Sequence, residues 1–266
     1  HVVRCFDDDD ITHVDGSVDP VRDAEVILTE LMLADISSID KRITGLQKAA
    51  RGGDKEAIRQ VELLNKATEL LNQGKLARGI KDATEEELRS LQLLTTKPML
   101  YVANVAEEHA AESIPSDKCK YLNQLSEYAK AQGAGIVVVS GRVESEVAEL
   151  EAAERKDFLE ALGLEKSGLE RLALAGYELL NLITFFTVGP KEAHAWTLEN
   201  GSDAVVAAGK IHSDIARGFI RAETISYSDF LKHGGEQGCK ETGTLRVEGR
   251  SYLMRDGDIV HFRFNV

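Results

Sequence analysis

Two side chains that could read a purine base stand three residues apart, at Asn104 and Glu107. They follow a mostly apolar run, Met99 to Ala103, which has the pattern of a buried strand in a parallel sheet. Ligands of open α/β sheets bind at the carboxyl ends of such strands. A carboxylate accepts hydrogen bonds from ring N–H and amino groups, and an Asn amide both donates and accepts. The spacing therefore predicts a nucleotide-base site in this loop.

In nucleotide-binding GTPases the base-reading tetrad is N-K-x-D, in which the Asp carboxylate accepts two hydrogen bonds from guanine. In this chain Val105 stands in place of the Lys and Glu107 in place of the Asp. The extra methylene moves the carboxylate, and adenine has no 2-amino group, so the substitution indicates relaxed or adenine-preferring recognition. A strand-end loop without a ligand is the alternative, because N-x-x-E alone is a weak signal.

The neighbouring elements predict an α/β domain with a parallel sheet. His1–Phe6 and Ile136–Val139 read as further strands. The second strand ends in Ser140 and Gly141, a small pair that could contact a base through backbone N–H groups and a hydroxyl. The pair Asp19-Pro20 opens a long helix, and further helices are predicted over residues 118–132, 148–162 and 164–180.

The long helix predicts a projecting hairpin. Its apolar stripe continues to Ala50, breaks at Gly52-Gly53-Asp54, and resumes from Ile58 to Leu71, which is typical of an antiparallel coiled coil. Residues 37–92 carry 11 lysines and arginines against 9 acidic residues, although the whole chain has a net charge of −13. The cations near the tip are candidates for contact with RNA phosphates or an acidic protein, and an ordinary solvated face is the alternative: Lys48, Arg51, Lys55 and Arg59.

The pattern changes after residue 182. Strands are predicted over 184–188, 193–198, 220–225 and 259–264, around one helix over 203–215. Several short strands around one helix indicate a small, separate α+β module. Lys210 and Arg217 are further candidates for a basic, RNA-contacting face.

Composition limits the classes of function. Hydrophobic residues make up 43% and charged residues 29% of the chain, as in ordinary globular proteins. The acidic balance argues against non-specific binding of nucleic acid by the whole surface, so no DNA partner is expected. Three scattered cysteines predict free thiols in a reducing cytoplasm. No apolar run approaches about 18 residues, so no membrane span is predicted.

Together these features resemble the YchF-type, or Obg-like, ATPases of the P-loop GTPase superclass. The resemblance covers essentially the whole chain and rests on these segments: His1–Phe6, His13–Asp23, Asn104–Glu107, Ala207–Asp214, Gly218–Glu223 and Asp256–Val266. It implies a Rossmann-like nucleotide domain over 1–36 and 93–181, a helical insert over 37–92, and a C-terminal TGS domain of β-grasp type over 182–266.

The resemblance also implies a function. Members of this family bind ATP and hydrolyse it slowly with Mg²⁺, and some accept GTP. They also associate with the ribosome, and we expect the contact to be with the large subunit. By similarity, the base contacts come from Asn104, Val105, Glu107, Ser140 and Gly141. A non-catalytic ribosome- or RNA-binding module that uses the hairpin and the TGS domain is the second hypothesis.

One departure from the family pattern is large. No G-x-x-x-x-G-K-[ST] phosphate loop occurs in these 266 residues, and the Thr-bearing switch and the D-x-x-G loop are also missing. These parts supply the phosphate cradle, the Mg²⁺ ligands and the water-positioning group. We therefore expect no catalytic or metal-binding residues in this chain and no ATPase activity from it alone. The simplest explanation is an absent N-terminal part.

Overall fold

The computed structural model describes residues 1–8, 17–189 and 192–265, so the first four residues of His13–Asp23, one of the segments that carry the resemblance, lie outside the described residues. The chain forms two compact units, His1–Gly176 and Tyr177–Val266. The first unit contains these elements: β1 (Val2–Arg4), α1 (Pro20–Arg51), α2 (Lys55–Asn72), α3 (Glu85–Ser90), β2 (Leu100–Asn104), α4 (Lys120–Ala131), β3 (Gly135–Val139), α5 (Gly141–Glu149), α6 (Ala152–Ala161) and α7 (Gly168–Leu179), whose last three residues fall in the second unit.

The strands of the first unit form the predicted parallel sheet, in the order β1-β2-β3. One face packs against α1 and α4, where Ala24 and Leu122 are fully buried. On the other face Leu172 and Ala175 of α7 cover the valines of β2 and β3. Helices on both faces explain why these strands are almost uniformly apolar. The predicted α/β class is confirmed.

The first half of the hairpin is one continuous helix. The Asp19 carboxylate accepts hydrogen bonds from the amides of Val21 and Arg22, and Pro20 begins α1 as predicted. The chain reverses at Gly53, whose φ of +85° favours glycine, and the Asp54 side chain caps α2. Tight packing of α2 on α1 buries Ile39, Leu63, Leu64, Ala67 and Leu71. The prediction that Ile58 belongs to the buried apolar stripe of the hairpin is wrong, because this side chain is 47% exposed.

A buried carboxylate fixes the base of the hairpin. Asp35 of α1 is 2% exposed and accepts hydrogen bonds from the amides of Leu94 and Thr95, each at 2.8 Å. The Thr95 hydroxyl adds a third bond at 2.6 Å. These residues lie in the short turn that leads into β2. Asp35 therefore connects the long helix to the strand that carries the candidate base loop.

The second unit is a mixed sheet in the order β5-β4-β8-β6-β7. Its elements are: β4 (Leu182–Val188), β5 (Ala193–Glu199), α8 (Ala204–Ile211), α9 (Ser213–Arg217), β6 (Phe219–Ser226), α10 (Tyr227–Lys232), α11 (Glu236–Glu241), β7 (Arg246–Glu248) and β8 (Asp258–Phe264). Strand β4 runs parallel to β8, and the other neighbours are antiparallel. The small residues Ala204, Ala207 and Ala208 let α8 approach the sheet closely around Phe185.

The structure differs from the predicted elements in several places. The helix predicted over 148–162 is two helices, and α5 already begins at Gly141, because Leu150 adopts an extended conformation that separates α5 from α6. The helix predicted over 203–215 divides at His212, whose Nδ1 accepts a hydrogen bond from the Asp214 amide and starts α9. Helix α11 and strand β7 were not predicted.

We expect Asp35→Ala to lower the free energy of unfolding by about 3 kcal/mol, because it leaves buried amide donors without their charged acceptor. Equilibrium unfolding in urea measures this change. Asp40→Ala is the matched control, since Asp40 is exposed on the same helix, and its effect should stay within about 0.5 kcal/mol. Equal stability of the two variants would show that the Asp35 carboxylate does not hold the hairpin base.

Candidate functional site

The parallel sheet brings the two predicted base-side loops to one edge. Asn104 is the last residue of β2, and its Cα is in register with Arg4 of β1 and Val139 of β3. The backbone carbonyl of Asn104 accepts a hydrogen bond from the Cys5 amide at 2.8 Å. The three strands therefore end together, and the residues that follow β2 and β3 are neighbours.

A side-chain hydrogen bond joins the two loops. The Asn104 Oδ1 atom accepts from the backbone amide of Gly141 at 3.0 Å. A Cβ atom at Gly141 would lie 3.4 Å from that oxygen, which is ordinary van der Waals contact. The bond leaves the two amide hydrogens of Asn104 Nδ2 free to donate to a ligand. Asn104 and Gly141 thus form a single connected surface.

Glu107 makes a second connection between the same loops. It begins a single helical turn after β2, and its Oε2 atom lies 3.5 Å from Nε of Arg142. Arg142 also lies 3.4 Å from the carboxylate of Glu146, and its side chain is 76% exposed. An ion pair so exposed contributes little stability. The Glu107 carboxylate is therefore positioned loosely at the site and can exchange its partner for a ligand.

Val105 and Ser140 face the interior instead. The Val105 side chain is 2% exposed within the core, and its amide donates to the Val139 carbonyl at 2.9 Å. A contact between Val105 and a base would have to use its carbonyl oxygen. Ser140 is 1% exposed, and its Oγ atom has no hydrogen-bond partner among the described residues. An unpaired buried hydroxyl is costly, which fits a place where a ligand or ordered water completes the site.

A supporting layer behind the loops has no signal in the sequence. The carboxylate of Glu144 on α5 accepts hydrogen bonds from the amides of Gly168 at 2.6 Å and Leu169 at 3.1 Å, and so caps α7. Near it, the guanidinium of Arg171 lies 3.4 Å from the Ala110 carbonyl oxygen. Burial lowers the pKa of Arg171, and the Glu144 carboxylate acts against that shift. No local sequence pattern identifies a cap supplied from another helix.

The cations of the hairpin fall into two groups. Lys48, Arg51 and Lys55 are exposed, and no ion pair involves them within the described ranges. Arg59 instead donates to the Glu87 carboxylate at 2.7 Å and to the Asp82 carbonyl at 2.7 Å. The Arg59 hydrogen bond lowers the pKa of Glu87 to about 2. Arg59 is therefore engaged within the insert and is a weaker candidate for RNA contact than the sequence suggested.

The two candidates of the C-terminal unit lie at neighbouring helices. Lys210 is exposed near the end of α8. Arg217 lies at the end of α9 and pairs with the Asp214 carboxylate at 2.8 Å. Because that carboxylate offsets the arginine charge, the local surface is less basic than the two residues suggest.

The family resemblance implies Mg²⁺ bound together with ATP. Among the described residues, no group of three or more His, Cys, Asp or Glu side chains is arranged to hold a metal ion. In nucleotide sites Mg²⁺ is held mainly by phosphates and water, with one or two protein ligands. None of the described helices is both long enough and apolar enough to cross a membrane.

Relatives of the whole chain decide its family. The "Ribosome-binding ATPase YchF" of Bacillus subtilis is 48% identical over 268 aligned residues, which cover 100% of this chain and 72% of the relative. The protein of the same name from Escherichia coli O157:H7 is 47% identical with the same coverage. This chain belongs to the YchF family. The resemblance to Obg-like P-loop GTPases is thereby confirmed.

Further comparisons agree with this family. Residues 182–265 match the family model YchF-GTPase_C, described as "Protein of unknown function (DUF933)". The solved structure of the Schizosaccharomyces pombe YchF GTPase superimposes with a TM-score of 0.78 at 32% identity, covering 98% of this chain and 71% of that one. A GTP binding protein from Pyrococcus horikoshii OT3 shares the fold, with a TM-score of 0.62 at 20% identity and 78% of its length covered.

We expect Gly168→Ala to destabilise the protein by about 1–3 kcal/mol. The new Cβ atom would lie 2.7 Å from Glu144 Oε1 and 2.9 Å from Val139 Cγ1, so the cap of α7 or the end of β3 must move. Urea unfolding measures the change. Gly45→Ala in α1 is the control, since no described atom lies within 4 Å of its Cβ position, and it should stabilise by about 0.5–1 kcal/mol. Unchanged stability of Gly168→Ala would contradict the close approach.

Proposed function

We propose that this chain carries the base-reading part of a YchF-type ATPase and its contact surface for the ribosome. The observation that supports the first role most strongly is the 3.0 Å hydrogen bond between Gly141 N and Asn104 Oδ1. It joins the loops after two parallel strands at the sheet edge where α/β proteins bind ligands. The names of the two bacterial relatives support ATP as the nucleotide and the ribosome as the partner.

In this proposal each residue at the edge has its own task. The Asn104 amide orders the second loop and donates to the base. The Glu107 carboxylate accepts from the 6-amino group of adenine, after its loose ion pair with Arg142 opens. Gly141 lets the base approach the backbone. The buried Ser140 hydroxyl, which has no hydrogen-bond partner among the described residues, gains one when the nucleotide orders the site. Val105 contributes its carbonyl oxygen, and its buried side chain closes the site on the side of the core.

Hydrolysis requires groups that these residues do not supply. The sequence of 266 residues contains no phosphate-loop motif, and the phosphate cradle and the Mg²⁺ ligands normally come from that loop and the switch segments. We therefore propose that the ATPase reaction depends on parts other than the residues of this chain, with Mg²⁺ bound there. In this chain the nucleotide domain contributes binding and orientation of the base.

The second role rests on the cations at the hairpin tip. Lys48, Arg51 and Lys55 lie within eight positions of each other on both sides of the turn and carry no described ion pairs. Charges that are not neutralised internally can replace the counterions of RNA phosphates. We propose that this tip contacts ribosomal RNA of the large subunit in the cytoplasm, and that the C-terminal unit acts as a TGS domain.

We expect Glu107→Asp to shift nucleotide preference toward GTP by about tenfold, because the shorter carboxylate restores the guanine-reading position. Titration of the labelled chain with ATP and with GTP, followed by amide NMR, measures both affinities and maps them to Gly141. Glu108→Asp is the control, since Glu108 is the exposed neighbour. An unchanged preference, or titration shifts that bypass Asn104 and Gly141, would refute the base-reading role.

Charge reversal at the tip tests the second role separately. The triple variant of Lys48, Arg51 and Lys55 to Glu should reduce co-sedimentation with ribosomes at least about tenfold at low salt, since it replaces three phosphate contacts by repulsion. The control reverses Lys97, Lys130 and Lys166, which are equally exposed but lie away from the tip. If both variants sediment alike across a salt titration, the hairpin tip is not the contact.

A further inference from the structure

An open cleft lies between α5, α6 and the start of α7. Its volume is about 890 Å³, within the range of ligand-binding clefts. Val147, Leu159 and Leu164 form an apolar floor, each less than 9% exposed. Leu169 stands at one wall with 64% of its surface exposed. Leu169 is therefore the large apolar side chain that the cleft leaves exposed.

Helix α6 is poorly packed for its length. Of its ten residues only Leu159 is buried. Helices in proteins gain most of their stability from packing one apolar face against a neighbour. Here that face is narrow: Phe158 and Leu159 pack on the cluster that contains Val143, and Leu159 also lines the cleft. A partner seated in the cleft would supply the packing that α6 lacks.

The charge around the cleft selects the kind of partner. Residues 144–170 carry nine acidic side chains and three basic ones. The cleft itself is lined by four glutamates and by Arg155 and Lys156. Glu160 lies on the cleft wall and forms a long ion pair of 3.6 Å with Lys156. Glu165, also on the wall, has no ion pair within the described part of the chain. A surface with this excess of negative charge repels phosphates and attracts lysine and arginine.

We propose that this cleft docks a basic, amphipathic segment of a partner protein. The segment packs apolar side chains against Leu169 and the floor of Val147, Leu159 and Leu164, while its lysines and arginines meet Glu160, Glu165 and the neighbouring carboxylates. This mode follows helix-in-groove recognition, in which apolar anchors provide the affinity and flanking charges the specificity. The inference does not rest on nucleotide binding or on the hairpin tip, because the cleft is a separate surface of opposite charge.

The test uses the intact chain and a fluorescein-labelled amphipathic peptide of leucine and lysine, with fluorescence anisotropy as the readout. A peptide with glutamate in place of every lysine reports apolar adhesion alone. We expect the Lys peptide to bind and the Glu peptide to bind at least about tenfold more weakly. Backbone NMR of the complex should place the largest shifts at α6 and around Leu169.

Two matched pairs of variants locate the binding. Leu169→Ser and the double variant Glu160→Gln/Glu165→Gln should each weaken binding about fivefold or more. Their controls are Leu33→Ser, on an exposed leucine of α1, and Glu30→Gln/Glu69→Gln, which makes the same change in net charge at exposed positions. Circular dichroism checks that each variant is folded.

Three results would overturn the proposal. The first is equal peptide affinity of the cleft variants and their controls, which would mean adhesion to the acidic surface in general. The second is equal affinity of the Glu peptide and the Lys peptide for the unmodified chain. The third is Leu169-dependent binding of a short RNA in preference to the peptide, which would make the partner a nucleic acid.

Discussion

The hydrogen bond from the Gly141 amide to the Asn104 side chain is the interaction on which the candidate site depends. The parallel pairing of β2 and β3 brings the two strand ends together, but it does not fix the loops that follow. The Asn104 side chain fixes them, because its Oδ1 atom accepts a hydrogen bond from the amide of Gly141, the first residue of α5. One side chain thereby sets the start of a helix and the shape of the edge.

The orientation of α5 in turn governs the elements behind the edge. Glu144 lies one turn into α5 and caps α7 through two amides. Helix α7 covers the second face of the sheet with Leu172 and Ala175. The contact tolerates no side chain at Gly168, since a Cβ atom would meet both Glu144 and Val139. Edge, helix and sheet face therefore form one connected unit, which explains how a surface loop can keep a defined geometry.

Charge in this protein is organised by region, and internal pairing decides which charges face a partner. Arg59 and Arg217 are each held by nearby carboxylates. The tip cations Lys48, Arg51 and Lys55 remain available to phosphates, whereas the region of α5 and α6 is strongly acidic. The two surfaces thus suit different classes of partner, although the net charge of −13 describes neither of them. The net charge of a protein influences its solubility and the electrostatic steering of its partners, but specific contacts depend on the local excess of one sign of charge.

The sequence alone determined the features that depend on neighbours along the chain. The Asp19-Pro20 start of α1, the Gly-rich turn before α2, the apolar strand before Asn104 and the family motifs were all readable, because caps, turns and periodicity act over a few residues. Only the tertiary structure decided the rest. The bond from Gly141 to Asn104 joins residues 37 positions apart, and the bonds of Arg59 to Glu87 span 28. The burial of Val105, the cap from Glu144 and the cleft beside α6 arise in the same way, since each requires elements that meet only when the chain has folded.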